Sequence, residues 1–191
     1  HYEPVEFVSP TPNCHATQVS FNDVADYCNW LSDQEGIPKG QWVYETNGDG
    51  DVSRGTRIKA NAHELAGYRL PSGLEWEIAC GWEYEGSYGF GEPISLLERY
   101  SEYLKNSSGP ALAVESLLPN ALGVFDMHGN CWEWTGSKGR EDNMQARGGA
   151  LYNDAYRVEG RATNGRSRIT ENGDPYFSFR PCRTYRISSM P

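Results

Sequence analysis

Apolar residues recur at helical spacing in one segment near the start of the chain. The members of this stripe are Phe21, Val24, Ala25, Cys28 and Leu31. Steps of three and four residues place such side chains on one face, so the pattern predicts an amphipathic helix. Ser20 and Asp23 approximate a capping box at its beginning, and Gly36 and Pro38 mark its end.

A second helix is predicted where Pro71 and Ser72 precede a short apolar segment. Glu75 lies three residues after Ser72, at the capping-box position. The expected buried face of this helix consists of Leu74, Ile78 and Ala79. Glu75 and Glu77 would point about 200° apart on a helix, which argues against a paired general acid and base. We interpret both carboxylates as structural.

Alternating patterns predict strands in the second half of the chain. Trp132 and Trp134 lie two residues apart, so a strand would place both indoles on one face and Glu133 on the other. Residues 176–179 read Tyr-Phe-Ser-Phe, which is typical of a closing core strand with alternating faces. The two tryptophans are therefore expected to share one side of a sheet.

The turn before the tryptophan pair carries candidate metal ligands. Asn130 and Glu133 offer an amide oxygen and a carboxylate, and backbone carbonyls near Gly129 and Cys131 add further oxygens. Calcium prefers such hard oxygen ligands. Alternatively, Asn130 only holds the turn and Glu133 is a solvated strand residue. Spacing leaves both interpretations open, because calcium takes roughly 6 to 8 ligands.

Composition favours one compact, loop-rich domain. The chain has 191 residues with 21 glycines, 11 prolines, 13% aromatic and only 38% hydrophobic residues. These values exclude a long helical bundle and indicate a core built on large rings. The net charge of −9 argues against nucleic-acid binding and against an anionic membrane surface. Because no apolar run approaches the ~18 residues of a membrane span, we expect no direct membrane insertion.

Four ordered motifs resemble those of formylglycine-generating-enzyme-type domains, the sulfatase-modifying-factor superfamily. The matching segments are residues 18–32, residues 67–80, residues 120–134, and Arg147-Gly-Gly149 with Phe179-Arg180 downstream. The resemblance implies an α+β, C-type-lectin-like fold, in which two helices flank irregular antiparallel sheets. Structural calcium is common in such domains, so the resemblance favours the calcium interpretation at Asn130 and Glu133.

The resemblance also tests for oxidase chemistry. Formylglycine-generating enzymes carry a serine and two closely spaced cysteines shortly after Arg-Gly-Gly, and the cysteines bind copper(I), which selects sulfur ligands. Here Ala150 stands where the serine would be, and no cysteine occurs between Cys131 and Cys182. We therefore expect neither copper nor oxidase activity. Cys28 and Cys80 are expected to be buried free thiols, and His128 to pack a turn.

A polar and aromatic segment near the C-terminus is the candidate ligand surface. Its proposed residues are Tyr152, Asn153, Asp154, Tyr156, Arg157, Arg161, Arg166 and Tyr176. Tyrosine and arginine suit recognition, and similar lectin-fold domains bind ligands through this region, including the hypervariable proteins of diversity-generating retroelements. Alternatively, Arg161 and Arg166 pair with the acidic excess, and Tyr176 belongs to the core strand.

Three functions follow from these observations. The preferred one is a non-catalytic, calcium-stabilised module that binds a protein or glycan partner or serves as a structural subunit. Other chains of a complex are included among the expected partners. The alternatives are a copper-dependent oxidase with a relocated site and a regulatory domain of a bacterial signalling protein, since similar domains are fused to bacterial kinases.

The N-terminal part of the family pattern has no recognisable counterpart in this sequence. We predict that residues 1–18 are an extension or the remnant of a longer domain and that residues 19–187 form the formylglycine-generating-enzyme-like domain. Family members usually begin about 50 residues earlier, and missing strands would reduce the buried core. We therefore expect a multidomain or processed protein, or a second chain that completes the sheet. The compartment stays open, with an extracytoplasmic or cell-surface location favoured.

Overall fold

Two helices stand out among the elements of the fold. The computed structural model describes residues 8–47, 52, 58–81, 86–91, 93–138, 144–160 and 174–185. Helix α1 spans Phe21–Gln34 and helix α2 spans Gly73–Cys80. Both begin with complete capping boxes, Ser20 with Asp23 and Ser72 with Glu75, as the sequence predicts. Gly81 ends α2 in the left-handed conformation, with φ of 103°.

Short strands form three small sheets in the described part of the chain. The strands are β1 (Tyr68–Arg69), β2 (Ser101–Glu102), β3 (His128–Gly129), β4 (Trp132–Lys138), β5 (Met144–Arg147), β6 (Phe177–Phe179) and β7 (Cys182–Arg183). The largest sheet has the order β5-β4-β6, and the others pair β1 with β7 and β2 with β3. This mixed architecture, with few helices and small open sheets, confirms the predicted fold class.

Strand directions are mixed. The β4–β5 and β1–β7 pairs are antiparallel, whereas β4–β6 and β2–β3 are parallel. A parallel pair needs a long connection, and residues 139–176 separate β4 from β6 in the sequence. The expectation of antiparallel sheets therefore holds for only part of the pairings.

The main core lies between α1 and the central sheet. Trp132 and Trp134 are fully buried in one cluster with Phe177 and the apolar stripe of α1. The Trp134 and Phe177 rings are 4.8 Å apart, a distance typical of favourable aromatic contacts. The prediction that both indoles share one face is confirmed. In α1, Leu31 is half-buried, while the other residues of the predicted stripe are buried.

The predicted buried face of α2 was wrong for Leu74 and Ile78, whereas Ala79 is half-buried and packs against the core as predicted. Leu74 is 54% exposed and Ile78 is 41% exposed, whereas Trp76 and Cys80 are buried. Trp76 packs in a cluster with Cys80 and Met127, so the helix turns its indole inward. An eight-residue helix offers few apolar positions from which a stripe could be inferred. The tryptophan, which has the largest apolar surface, determines the orientation.

Residues before α1 pack against the second half of the chain. Val8 is buried in a cluster with Cys131 and Leu151, and the Ala111 amide donates to the Val8 carbonyl at 2.7 Å. Cys14 forms an isolated antiparallel bridge with Ala113. The division at residue 19 stays a prediction. No helix within the described ranges has the length and apolar character needed to cross a membrane.

Candidate functional site

Glu133 lies at the centre of a buried polar contact beneath α2. Its Oε2 accepts hydrogen bonds from Trp76 Nε1 at 2.7 Å and Arg180 Nε at 3.0 Å, and its Oε1 accepts from Arg180 Nη2 at 2.7 Å. Arg180 also donates to the Phe125 carbonyl at 3.0 Å. A buried carboxylate needs such a partner, because an unpaired buried charge is costly. Glu133 is therefore not a solvated strand residue.

Asn130 is buried in a left-handed turn, with φ of 61°. Its amide nitrogen Nδ2 donates to the Leu112 carbonyl at 3.3 Å, and its backbone N–H donates to the Glu102 carbonyl at 2.8 Å. The Leu112 N–H in turn donates to Glu102 Oε2 at 2.9 Å. Asn130 Oδ1 is buried and accepts no hydrogen bond from the described residues. Within the described residues, Asn130 Oδ1 is therefore the open side-chain oxygen of this turn.

The two predicted calcium ligands differ in how well they fit a cation. Asn130 Oδ1 fits, because a buried oxygen without a donor would gain a partner. Glu133 does not fit in this arrangement, because Arg180 and Trp76 already occupy both of its carboxylate oxygens. A single calcium shared by Asn130 and Glu133 would require Glu133 to change partners. The calcium prediction therefore rests on Asn130 and stays a prediction.

A cavity of about 380 Å³ opens beside Glu133 and Arg180. We call it the acidic cavity; its lining includes His15, Asp126, Glu133, Arg180, Phe125 and Phe179. Asp126 Oδ2 accepts a hydrogen bond from the Glu115 N–H at 2.8 Å. Glu115 and Asp126 both adopt left-handed backbone conformations, with φ of 62° and 58°. Strained residues of this kind cluster at functional sites.

His15 and Asp126 were missed in the sequence interpretation. His15 is 9% exposed, lines the acidic cavity, and leaves its Nδ1 without a hydrogen bond among the described residues. Burial lowers the pKa of His15, against the opposing influence of Glu133 and Asp126, so the ring is neutral near pH 7. The only signal for Asp126 was its place beside the Met-His-Gly-Asn turn. His15 precedes every recognisable motif and gave no signal.

Two pairs of cysteines lie close enough to interact electrostatically: Cys182 helps to raise the pKa of Cys28, and Cys14 helps to raise that of Cys131. All five are free. Burial raises the pKa of Cys28 and Cys80 to about 12 and that of Cys182 to about 11, and it also raises the pKa of Cys131. Cys28, Cys80 and Cys182 are therefore protonated near pH 7 in the metal-free protein. Ala150, at the position of the family serine, has 0% exposure.

His128 uses both ring nitrogens inside the fold. Its Nδ1 lies 2.7 Å from the Val158 carbonyl oxygen and donates to it, because a carbonyl oxygen can only accept. Its Nε2 accepts a hydrogen bond from the Gly89 N–H at 3.0 Å. Burial lowers its pKa to about 4, so the ring is neutral near pH 7. These contacts agree with a packing role rather than a catalytic one.

Exposed rings mark the predicted ligand surface. Tyr156 is 60% exposed and Tyr152 is 42% exposed. The Tyr152 ring meets the Tyr176 ring edge-on at 4.7 Å, and the Arg157 guanidinium lies 5.7 Å from the centre of the Tyr156 ring. We call Tyr152, Tyr156, Arg157 and Tyr176 the tyrosine surface. Arg161 and Arg166 lie outside the described residues.

Hydrogen bonds hold the loop beneath the tyrosine surface. Asn153 Oδ1 accepts from the Ala150 N–H at 2.9 Å, and the Asn153 carbonyl accepts from the Leu104 N–H at 3.0 Å. The Leu151 N–H donates to the Asn130 carbonyl at 3.0 Å. Asn153 thus serves the turn, while Asp154 is exposed and precedes a short 3-10 helix over Ala155–Arg157.

The family model for the sulfatase-modifying factor enzyme 1-like domain matches residues 8–183. The chain belongs to this family, as its motifs predict, and it is a formylglycine-generating-enzyme-like domain with a C-type-lectin-like fold. Variable protein 1 of Treponema denticola superposes with a TM-score of 0.74 at 20% identity, covering 95% of this chain and 75% of that one. At this identity the likeness shows the fold alone.

Curated relatives include two enzymes. The chain is 23% identical over 199 residues to the formylglycine-generating enzyme of Thermomonospora curvata, covering 97% of this chain and 52% of that protein. It is 34% identical over 103 residues to hercynine oxygenase of Mycolicibacterium smegmatis, covering 50% of this chain and 23% of the relative. The chain thus spans about half of the first relative and about a quarter of the second.

Proposed function

We propose that this domain is a non-catalytic member of its family that binds a partner through the tyrosine surface. The observation that carries the proposal is an exposed Tyr156–Arg157 pair on a loop held by internal hydrogen bonds. Such a loop loses little conformational entropy on binding, because its backbone is already ordered. Aromatic rings that are exposed on an ordered loop are available to contact a partner.

Two further observations support a binding role over an oxidase. A buried methyl group at Ala150 stands where the family serine would be. No cysteine occurs between Cys131 and Cys182, the segment in which the resemblance places the copper-binding pair. A protein partner is preferred, since tyrosine and arginine are enriched at protein interfaces. Calcium enters the proposal as a stabilising ion at Asn130.

Site-specific photo-crosslinking in the native host tests the binding role. A photoreactive phenylalanine analogue replaces Tyr156 in one strain and Tyr185 in a control strain, since Tyr185 is also highly exposed but lies outside the tyrosine surface. We expect a discrete protein adduct from position 156 and none from position 185. In a binding assay with the identified partner, Tyr156→Ser should weaken affinity at least tenfold, a loss of about 1.4 kcal/mol.

Two outcomes would contradict the proposal. Equal crosslinking from both positions would show that the tyrosine surface has no special role. Oxidation of a cysteine-containing peptide to an aldehyde, with copper(I) and oxygen supplied, would restore the oxidase interpretation. A glycan array in parallel distinguishes a carbohydrate partner, for which binding should again depend on Tyr156.

A further inference from the structure

The acidic cavity has the size and lining of a small-molecule site. Its volume of about 380 Å³ lies within the roughly 300–1,000 Å³ of typical ligand pockets. Phe125 and Phe179 contribute apolar walls, and charged side chains lie beside them. None of the residues of the tyrosine surface lines the cavity. Ligand binding in the cavity is therefore a separate proposal from the partner binding above.

The charges around the cavity do not balance. Arg180 is committed to Glu133 through two hydrogen bonds. Asp126 is half-buried and receives one backbone N–H at Oδ2, but it forms no salt bridge with any described residue. Glu115 is exposed beside it and is likewise unpaired in the described ranges. The described lining therefore carries three carboxylates, Glu115, Asp126 and Glu133, against the single guanidinium of Arg180, and this excess of negative charge favours a positively charged ligand.

His15 supplies an independent indication of a ligand. The ring is nine-tenths buried and lines the cavity, yet its Nδ1 has no hydrogen-bond partner within the described part of the chain. A buried polar group without a partner costs about 1–3 kcal/mol. Because the neutral imidazole has one acceptor nitrogen, a ligand N–H could donate to the ring.

A metal ion does not suit this set of groups. The described residues contain no cluster of three His, Cys, Asp or Glu side chains arranged to hold a metal. The apolar walls at Phe125 and Phe179 would also contribute nothing to an inorganic ion. They would instead cover the hydrocarbon part of an organic ligand.

We propose that the acidic cavity binds a small organic cation, a primary ammonium group on a short apolar stem. Asp126 and His15 accept the ammonium hydrogen bonds, and the lining that includes Phe125 and Phe179 covers the stem. The Glu133–Arg180 pair forms a charge-neutral wall. Asp126 is the residue on which affinity depends most, because it is half-buried and forms no salt bridge with any described residue.

Calorimetry with three matched probes tests this proposal at pH 7. Phenethylammonium, phenylethanol and phenylpropionate share an aromatic stem and differ in charge. We expect phenethylammonium to bind at least tenfold more tightly than either of the others. Asp126→Asn should weaken phenethylammonium binding at least tenfold, while Glu45→Gln, which removes an exposed carboxylate outside this cavity, should leave it unchanged.

Several results would overturn the proposal. Equal binding of phenylethanol would indicate a purely apolar pocket, and tighter binding of phenylpropionate would show that Arg180 recognises an anion. Competition by calcium would indicate a metal site. If Asp126→Asn does not fold, the ring ¹⁵N signals of His15 in the unmodified protein provide the second measurement. They should shift on adding phenethylammonium, and unchanged signals would also refute the proposal.

Discussion

At the residue scale, Glu75 combines a helix cap with a charge partner for a buried arginine. Its Oε1 accepts from Arg69 Nη2 at 2.7 Å and its Oε2 from Arg69 Nη1 at 2.8 Å. Although partial burial opposes it, the hydrogen bonds from Arg69 and Ser72 lower the pKa of Glu75 to about 2. The carboxylate was interpreted as structural from the capping pattern, and these contacts support that role. Arg69 lies within the motif at residues 67–80, but its pairing with Glu75 was not predicted.

Glu75→Gln should destabilise the fold more at pH 6 than at pH 3. Because the folded-state pKa is depressed, the charge contributes stability above pH 4.5 that is lost as the pH falls toward 2. The side chain is 39% exposed, so we expect only about 1 kcal/mol at pH 6. Glutamine keeps the capping hydrogen bond. Urea unfolding at both pH values measures the difference, with Glu45→Gln as the control; a pH-independent cost would refute the charge assignment.

Gly149 has a backbone conformation and close neighbours that only glycine accommodates. Its φ is 80°, and a Cβ there would lie 2.6 Å from Val158 Cγ1 and 2.8 Å from the Arg157 carbonyl oxygen. We expect Gly149→Ala to lower the free energy of unfolding by on the order of 2 kcal/mol or more. The clash would also displace the loop that carries the tyrosine surface.

Urea unfolding of Gly149→Ala measures this effect, and Gly40→Ala is the matched control. A Cβ at Gly40 meets nothing within 4 Å, so this variant should stay within about 0.5 kcal/mol of the unmodified protein. Equal stability of the two variants would mean that the packing between residue 149 and Val158 leaves room for a Cβ. The Arg-Gly-Gly motif identified the glycine pair, but the contact with Val158 depends on tertiary packing.

At the element scale, the prediction for α1 succeeded and that for α2 partly failed. Helix α1 is long enough for its stripe to repeat over several turns, so spacing identified most of its buried residues. Helix α2 has only eight residues, and its contacts with β4 and β5 decide which side is buried. Capping chemistry is local and was predicted for both. The parallel β4–β6 pairing joins distant segments and has no local sequence signal.

The orientation of α2 leads to opposite expectations for two of its apolar residues. Trp76 is buried and donates to Glu133, so Trp76→Ala should cost about 3–5 kcal/mol. Leu74 is mostly exposed, so Leu74→Gln should change stability by less than about 0.5 kcal/mol. Urea unfolding of both variants checks the pair of expectations. A large cost for Leu74→Gln would show that another surface covers the outer face of α2.

At the scale of the whole molecule, the motifs predicted the family and the fold, while the candidate sites depend on contacts between distant segments. Arg180 reaches Glu133 across 47 positions in sequence. His15 meets Asp126 and Glu133 at the same cavity, although it lies before every motif. Sequence spacing does not predict such contacts, because loops of very different lengths can bring the same two side chains together. The candidate calcium ligands at the Asn130 turn could be predicted because Asn130 and Glu133 are only three residues apart in sequence.

Calcium would act on the folded molecule as a whole, because an ion that binds only the native state stabilises it by mass action. At a calcium concentration about 100 times the dissociation constant the gain is about 2.7 kcal/mol, which corresponds to a rise of about 5–10 °C in Tm for a domain of this size. We expect that rise between EGTA and calcium in differential scanning calorimetry. Asn130→Gly should abolish it, because glycine keeps the left-handed turn at φ of 61° and removes the side-chain amide, both its oxygen and the Nδ2 that donates to the Leu112 carbonyl.

The unmodified protein and Asn130→Gly are compared by the change in Tm that calcium causes, not by Tm itself. A general loss of stability in Asn130→Gly therefore does not affect the result. Magnesium serves as the control ion, because it demands a tighter octahedral arrangement and should give a smaller shift. An unchanged Tm between EGTA and calcium would remove calcium from the proposed function. A calcium shift that survives in Asn130→Gly would instead place the ion elsewhere, since Asn130 Oδ1 is the open oxygen on which the prediction rests.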